Sequence, residues 1–291
     1  MKKPAPLQSL PFAPSSAQKL GFEIINITSG NHLVPINKYH RHDFVEILWI
    51  TQGQSTQLID FQTYEVKSNE LLIIPQGCVH FTPAPQHYEG KMLLFTKDVF
   101  TPEQHLHLQA FQVLNVFRAN HLLQPASFVE LLPYFQTLEQ EYQTYIQQED
   151  TPHQILLLQN LLFALLLKLE GIAQQLQPLA PVNPENSLFK SFTALVEQSY
   201  STQHSVAYYV DSLHLTNKKL NQILSKQIGK TANEYITERI LLEAKRYLCY
   251  SELSIKEIAF RLGFDDSHYF SRLFKKKTQK SPEVFRKSFV N

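Results

Sequence analysis

Ile258-Ala-Phe-Arg-Leu-Gly-Phe-Asp-Asp-Ser-His-Tyr-Phe-Ser-Arg-Leu-Phe-Lys-Lys276 is the stretch that decides how this chain is read. Its apolar residues fall at Ile258, Ala259 and Leu262, then at Phe270, Leu273 and Phe274. That spacing puts one apolar face on each of two short helices. Gly263 stands where the first helix must stop and the chain reverse, a position that favours positive φ. Ser254-Ile-Lys-Glu257 reads as a capping box opening the first helix, and Asp265, Asp266 and Ser267 offer N-cap oxygens to the second. Pro282, after Ser281, suits the first turn of a further helix. Two helices joined by a short turn, the second polar on its outer face, describe a helix-turn-helix.

The same pattern is written once before. Val206, Tyr209, Val210, Leu213, Leu215, Leu220, Ile223, Leu224 and Tyr235 reappear as Ile255, Ile258, Ala259, Leu262, Phe264, Phe270, Leu273, Phe274 and Phe285. The offset is 49 residues as far as Leu215/Phe264 and 50 from Leu220/Phe270 onward, so the second copy carries one extra residue at its turn. Thr216 or Asn217 supplies the N-cap in the first copy. Plain amphipathic helices in a bundle would share the periodicity, but matched copies with matched turns favour a tandem helix-turn-helix reading two successive major-groove segments. Charge agrees. Residues 188–291 hold 17 Lys+Arg and 10 Asp+Glu, a net of +7, whereas residues 1–187 hold 10 and 16, a net of −6. The overall +1 conceals a basic C-terminal third, the electrostatic footprint of a DNA binder.

The quoted stretch, with Ser281-Pro282 and Phe285-Arg286 after it, resembles the AraC/XylS signature over residues 188–289. Gln279 departs from it, standing where the family usually has Gly; the first copy has Gly229 there. The resemblance implies recognition helices at about 217–227 and 267–277, with helix 233–248 as a strut turning Ile236, Ile240, Ala244 and Leu248 inward. By correspondence to family positions the base readers are Lys218, Asn221 and Gln222 in the first helix, and Ser267, His268, Ser271 and Arg272 in the second. Their chemistry suits base recognition, since Arg fits the O6/N7 edge of guanine, and Asn or Gln the N6/N7 edge of adenine. Lys226, Lys275, Lys276 and Lys277 are placed for phosphates, which position the protein without reading sequence.

Residues 20–100 read as β. Phe44 to Ile50 and Leu71 to Ile74 are short apolar runs bounded by Gly, Pro or Asn. His40, His42 and Glu46 share one parity, which on a single strand puts their side chains on one face, together with Phe44 and Leu48. The spacing His40-x-His42-x₃-Glu46-x₆-Gly53, then Pro75-x-Gly77-x₂-His80, resembles the two cupin motifs, although Ala84 stands where Asn is common. That resemblance implies a small double-sheet barrel with a pocket inside, a sensor domain often joined to AraC-type DNA-binding domains. In metal-dependent cupins these positions supply three imidazoles and a carboxylate to a divalent metal. The reading favours no metal and no cofactor here. It takes His40, His42, Phe44, Glu46, Leu48 and His80 as the lining of a pocket for an organic effector, and His40, His42, Glu46 and His80 as the set that would hold Fe, Mn, Ni or Zn if one were bound.

The remaining segments follow from composition. Residues 101–170 turn helical: Phe128 to Tyr145 is amphipathic, and His153 to Glu170 is apolar on most of its circumference, so that it needs cover on each side. A second subunit is one cover; the preceding helix and barrel are the other. Residues 171–187, rich in Pro and Gln, read as a linker, and the proline-bearing residues 1–19 as a flexible arm. Cys78 and Cys249 lack the spacing of a disulfide framework or zinc site. No apolar signal core opens the chain, and the run Ile155 to Leu169 is short for a membrane span, so the chain is expected in the cytoplasm with no membrane partner.

The expected architecture is therefore α+β: arm 1–19, cupin-like effector-binding barrel 20–100, helical dimerisation region 101–170, linker 171–187, and double helix-turn-helix domain 188–291. The expected function is a homodimeric AraC-type transcriptional regulator that binds double-stranded DNA under the control of a small-molecule effector. It would meet RNA polymerase if it activates. Two alternatives stand beside it: a metal-dependent cupin enzyme carrying an accessory DNA-binding domain, and a constitutive DNA binder with a vestigial barrel.

Overall fold

The computed structural model describes residues 8–12, 20–28, 39–83, 87–108, 111–114, 122–147, 152–176 and 184–288. The chain divides into two compact units, Gln8–Pro178 and Leu179–Asn291. The first is built on β-structure with helices against it, and the described part of the second is helical.

In the first unit the strands run β1 (Gln8–Leu10), β2 (Phe22–Ile27), β3 (His40–His42), β4 (Val45–Ile59), β5 (Gln62–Lys67), β6 (Glu70–Ile74), β7 (Val79–Phe81), β8 (Tyr88–Phe95) and β9 (Leu122–Leu123). The long strand β4 belongs to two sheets. Its first half lies between β6 and β8, with β9 beyond β6 and β2 beyond β8. Its second half lies between β5 and β7, with β3 beyond β7 and β1 beyond β3. Pairing is antiparallel throughout except β1 with β3.

The register of β4 with β8 shifts between Ile50 and Gln52, and this irregularity sets which residues point inward. Before it, Leu48 and Ile50 join Ile59, Tyr64, Val66, Leu72, Ile74 and Tyr88 in the core between the sheets. Val45, Ile47 and Trp49 face the other way, into the core shared with the helices. After it the parity reverses, and Ser55, Gln57 and Ile59 are the buried residues. One extra residue in a strand turns every later side chain to the opposite face.

Helices α1 (Pro102–Leu108), α2 (Pro125–Gln147) and α3 (Pro152–Leu176) complete this unit. Leu131, Phe135, Leu138, Tyr142 and Tyr145 of α2 pack with Leu158, Leu162, Leu165, Leu166 and Leu169 of α3 over the sheet face bearing Val45, Ile47 and Trp49. Lys91 pairs with Glu139, and Lys168 with Glu130 at 2.5 Å, along the rim.

Three expectations change. Helix α3 runs to Leu176, so residues 171–176 are helix rather than linker; residues 184–187 open the next helix, and the rest of the expected linker lies outside the described residues. Gln at 174 and 175 is a good helix former, and the helix meets no proline until Pro178. Part of the expected flexible arm is ordered: β1 pairs along β3, the Phe12 amide donates to Asp43 Oδ1 at 2.8 Å, and the Phe12 ring meets Phe44 edge to face. An unpaired edge strand recruits such a segment, whatever its proline content on either side. The remainder of residues 1–19, apart from Pro11, lies outside the described residues. Finally, the 25-residue α3 is long and apolar enough by length and composition to cross a bilayer, contrary to the shorter run counted in the sequence. Its buried leucines pack on α2 and the sheet, leaving Leu156, Leu157 and Leu167 exposed.

The second unit comprises α4 (Pro184–Ser199), α5 (Val206–Ser212), α6 (Asn217–Ile228), α7 (Ala232–Tyr250), α8 (Ile255–Arg261), α9 (Ser267–Thr278) and α10 (Pro282–Lys287). Helix α7 buries Ile236, Ile240, Ala244 and Leu248, the face read as the strut. Of the apolar residues that matched between the copies, Tyr209, Val210, Leu220, Ile223, Leu224 and Tyr235 are buried in the first, and Ile258, Ala259, Leu262, Phe264, Phe270 and Phe274 in the second.

Candidate functional site: nucleic-acid interface and barrel histidines

Each helix of the tandem motif is cut to length by its caps. Thr216 Oγ1 accepts from the Lys219 amide at the start of α6, and both Asp266 carboxylate oxygens accept from the amides of His268 and Tyr269 at the start of α9. Capping boxes Thr231/Glu234 and Ser254/Glu257 open α7 and α8. Both glutamates titrate below the ordinary carboxylate range, because each accepts hydrogen bonds from its N-cap residue. At their far ends α6 and α9 close on left-handed residues: Gly229 at φ 67° and Gln279 at φ 62°. The departure at Gln279 therefore leaves the turn unchanged. Its side-chain amide donates to Lys276 O at 3.1 Å and recovers part of the conformational cost. The turns inside the motifs repeat this exchange in reverse, with His214 at φ 53° in the first and Gly263 at φ 77° in the second.

The helices are fixed to one another by polar groups as well as by core. Arg239 holds Glu197 through Nε at 2.9 and 3.0 Å and lies over the Tyr200 ring, and Glu243 bridges Arg239 and Arg246. Arg286 donates to the carbonyls of Leu248 and Leu253, tying α10 to the end of the strut. His204 Nε2 reaches Leu262 O at 2.6 Å and its ring packs on Phe264, joining the segment before α5 to the turn of the second motif.

On this frame Lys218, Gln222 and Lys226 of α6 are exposed, and so are His268, Arg272 and Lys276 of α9. They are the same positions, offset by 50, at i, i+4 and i+8 of each helix. Lys275 and Lys277 are exposed beside them. Asn221 does not belong to this face. It is half-buried, donates to Asn217 Oδ1 at 2.9 Å and accepts the Ala232 amide at 2.8 Å, so its amide serves as a clamp on the first turn of α7. Ser267 and Ser271 are half-buried, and the Ser271 hydroxyl is turned back to Ser267 O at 2.8 Å. Tyr269, exposed beside His268, was not singled out from the sequence, although it lies off the apolar spacing of Phe270, Leu273 and Phe274.

In the first unit the expected pocket residues are drawn together from different sheets. A bend at Asp43 and Phe44 separates β3 from β4, so His42 and Glu46 are not on one continuous strand face. His40 and His80 are register partners across β3 and β7. His42 Nδ1 lies 2.7 Å from Phe44 O; a carbonyl only accepts, so Nδ1 carries the proton. In the neutral ring Nε2 then presents a lone pair. It stands 3.4 Å from Glu46 Oε2 without a hydrogen bond. His80 is buried with neither ring nitrogen hydrogen-bonded, and burial first, then the charges of His42 and His40, holds its pKa well below 6.5. The donor atoms of His42, Glu46 and His80 all fall within 4.8 Å of one another. His40 lies ring to ring with His80 at 4.1 Å but outside that trio. Phe44 stacks flat on His42 at 4.1 Å, while Leu48 sits in the apolar core.

Buried polar groups that the sequence did not single out stand in the same interior. Thr82 Oγ1 donates to Gln57 Oε1 at 2.7 Å, and Gln57 Nε2 to Ser55 Oγ at 2.8 Å. The Tyr88 phenol is pushed up to about 12 by burial and by the Glu46 charge. Ser55 and Gln57 lie beyond the irregularity in β4, so counting alternation from Glu46 assigns them to the wrong face.

Residues 209–288 match the family model for a helix-turn-helix domain, and residues 35–166 match the one for an AraC-like ligand binding domain. The chain belongs to the AraC family of transcriptional regulators. This AraC-family chain is 25% identical over 257 residues to the HTH-type transcriptional activator RhaR of Yersinia pseudotuberculosis serotype O:3, covering 86% of this chain and 85% of that one. To the HTH-type transcriptional activator RhaS of Yersinia pestis it is 27% identical over 261 residues, 85% and 88% of the two chains. It is also similar to the solved C-terminal domain of the response regulator yesN from Fusobacterium nucleatum, at 30% identity over 33% of this chain and 93% of that one, with a TM-score of 0.32. An AraC-family regulator binds DNA through its helix-turn-helix domain and carries a ligand-binding domain. Neither family match supports the enzyme reading.

Proposed function

We propose that this regulator reads DNA sequence through Lys218 and Gln222 of α6 and His268 and Arg272 of α9, with Lys226, Lys275, Lys276 and Lys277 on phosphates. The repetition of exposed positions i, i+4 and i+8 on two helices of one rigid unit carries the reading. A helix entering the major groove presents such a stripe, its N-terminal members to base edges and its later members to the backbone. The clamp at Asn221 removes that residue from the base readers. Ser267 and Ser271 are left as backbone-proximal contacts.

The barrel interior is the proposed effector site: His40, His42, Glu46 and His80 at one end, with Ser55, Gln57, Thr82 and Tyr88 beside them, and Phe44 as a flat wall. A few convergent polar groups among apolar side chains suit a small polar molecule. The exposed Leu156, Leu157 and Leu167 of α3 support self-association of the sensor unit. Work in the cytoplasm accords with a DNA-binding regulator. The curated relatives are activators, and the proposed outcome here is likewise activation, with RNA polymerase as partner. A footprint of the full chain on a duplex obtained by binding-site selection from random DNA tests the reading. Protection of two adjacent major-groove segments per bound domain is expected. Protection of one segment, unchanged by Arg272→Ala, would sink it.

A further inference from the structure

We propose that His204 is a positioning residue for DNA recognition: it clasps the first helix-turn-helix to the turn of the second, and so sets the spacing of the two major-groove segments that the domain accepts. The proposal rests on the reading of DNA through α6 and α9, and concerns their relative placement rather than the bases they meet.

Three observations carry it. First, the repeat breaks at this position. At the offset of 49 residues His204 corresponds to Leu253, and each stands immediately before the N-cap serine of its motif's first helix, Ser205 or Ser254. An apolar side chain in that place ordinarily packs back on its own helix and fixes the entry of the chain. In the first copy Tyr209 does this instead, its hydroxyl donating to Gln203 O at 2.7 Å. Second, His204 reaches the other motif. Its Nε2 donates to Leu262 O at 2.6 Å, and its ring lies on Phe264 with centroids 4.5 Å apart. Leu262 caps the end of α8, where the last carbonyls of a helix have no partner within it. Phe264 in turn packs on Phe270 of α9 at 5.3 Å, so the contact reaches the recognition helix through one ring. Third, the backbone is shaped to admit the contact: the Ser201 carbonyl approaches Gly263 so closely that a Cβ there would clash with it.

Geometry gives the contact its consequence. Helix α7 joins the motifs along the chain, but a single strut fixes their separation better than their rotation. A second tie, from the segment before α5 to the turn before α9, opposes that rotation. One base pair more or less between two DNA segments shifts the second by about 3.4 Å and turns it by about 35° around the duplex. The domain follows such a shift only by breaking the clasp, whereas a site of the native spacing leaves it intact. His204 therefore acts on spacing and not on base preference.

The test uses the full chain on three kinds of DNA: a two-segment duplex obtained by binding-site selection, the same duplex with one base pair inserted or removed between the segments, and a duplex keeping one segment. Dissociation constants from fluorescence anisotropy at one salt concentration give the penalty for wrong spacing. In His204→Leu, which carries the side chain of the second copy, that penalty should fall by about 5-fold, the factor that one ordinary hydrogen bond is worth. His204→Gln, whose amide nitrogen reaches as far as Nε2, should keep the wild-type penalty; His204→Asn, one bond shorter, should lose it as His204→Leu does. All four proteins should bind the one-segment duplex alike. Should His204→Leu fail to fold, His204→Gln and His204→Asn read the same difference. A penalty equal in wild type, His204→Leu and His204→Asn overturns the clasp and leaves the reading through α6 and α9 intact. Equal losses on every duplex, the one-segment duplex included, overturn it too, since they mark a residue needed only for the fold. Wild type that selects a single segment, or shows no penalty for spacing, overturns the two-helix reading itself and the clasp with it.

Discussion

Gly263→Ala and Gly229→Ala make a matched pair, because both positions are left-handed and only one is crowded. Gly263 has φ 77° and Gly229 φ 67°. An alanine in that region costs about 1–2 kcal/mol, which is the whole effect expected at Gly229, where an added Cβ meets nothing within 4 Å. At Gly263 the same Cβ would stand 2.4 Å from Ser201 O and 3.2 Å from His204 Nε2. The Ser201 carbonyl is backbone and must retreat by roughly 1 Å, a strain of about 1–3 kcal/mol by analogy with overpacked cores. The displaced segment also carries the hydrogen bond from His204 to Leu262 O, whose loss adds about 1 kcal/mol. Gly263→Ala should thus cost roughly 3–6 kcal/mol against about 1–2 for Gly229→Ala. For a unit of this size that separates the two by on the order of 10 °C in Tm. Thermal unfolding of the full chain, followed through the helical unit by far-UV circular dichroism, reads the difference. Because the crowded contact ties the approach to α5 to the turn before α9, Gly263→Ala should also weaken binding to a two-segment site more than to either segment alone. Equal destabilisation by the two substitutions would refute the argument, since it would leave backbone conformation as the only term and the Ser201 contact without consequence.

The other expectations concern readout, clamping and acid. Arg272→Ala should cost about 1–3 kcal/mol on the cognate site and relax preference at one base pair, while Lys276→Ala weakens all sequences alike and flattens the salt dependence; equal losses on cognate and random DNA for Arg272→Ala count against its assignment. Asn221→Ala should destabilise the helical unit by about 1 kcal/mol through loss of the Ala232 contact and leave base preference unchanged, as measured by unfolding and by binding-site selection. Acid should loosen the starts of α7 and α8. Glu234 and Glu257 have folded pKa values below 4.5, so their stabilisation is complete above the unfolded pKa and disappears as pH falls through the folded values. Glu234→Gln with Glu257→Gln should remove that part of the acid limb in a pH titration of helicity, and an unchanged limb would show the boxes to be idle.

What was legible in the sequence was whatever period and caps encode. The tandem motif was readable because Ser254, Glu257, Gly263 and Pro282 mark helix ends through local chemistry, and the ends of α6 and α9 fall within one residue of the expected bounds. The trade of glycine between turns was half-visible: Gln279 stood out as a missing glycine, but His214, the partner of Gly263, shows itself only through its φ of 53°. Asn221 shows how little the sequence says about an amide's partner: the same side chain that suits a base edge accepts the Ala232 amide, 11 residues on, and that contact is set by where α7 begins. The barrel shows the limit most clearly. Alternation placed His42, Glu46 and Leu48 on one strand face, whereas the bend at Asp43 puts His42 in β3 and Glu46 in β4. The shift after Ile50 then hides Ser55 and Gln57 from any count begun at Glu46. A bend and an irregularity in pairing leave almost no mark on composition, because any residue can occupy them when tertiary contacts reward it. Yet they bring two imidazoles and a carboxylate from three strands to within 4.8 Å. Local signals therefore define the helix-turn-helix domain of this regulator, while the interior of its ligand-binding domain is defined by where the chain breaks its own period.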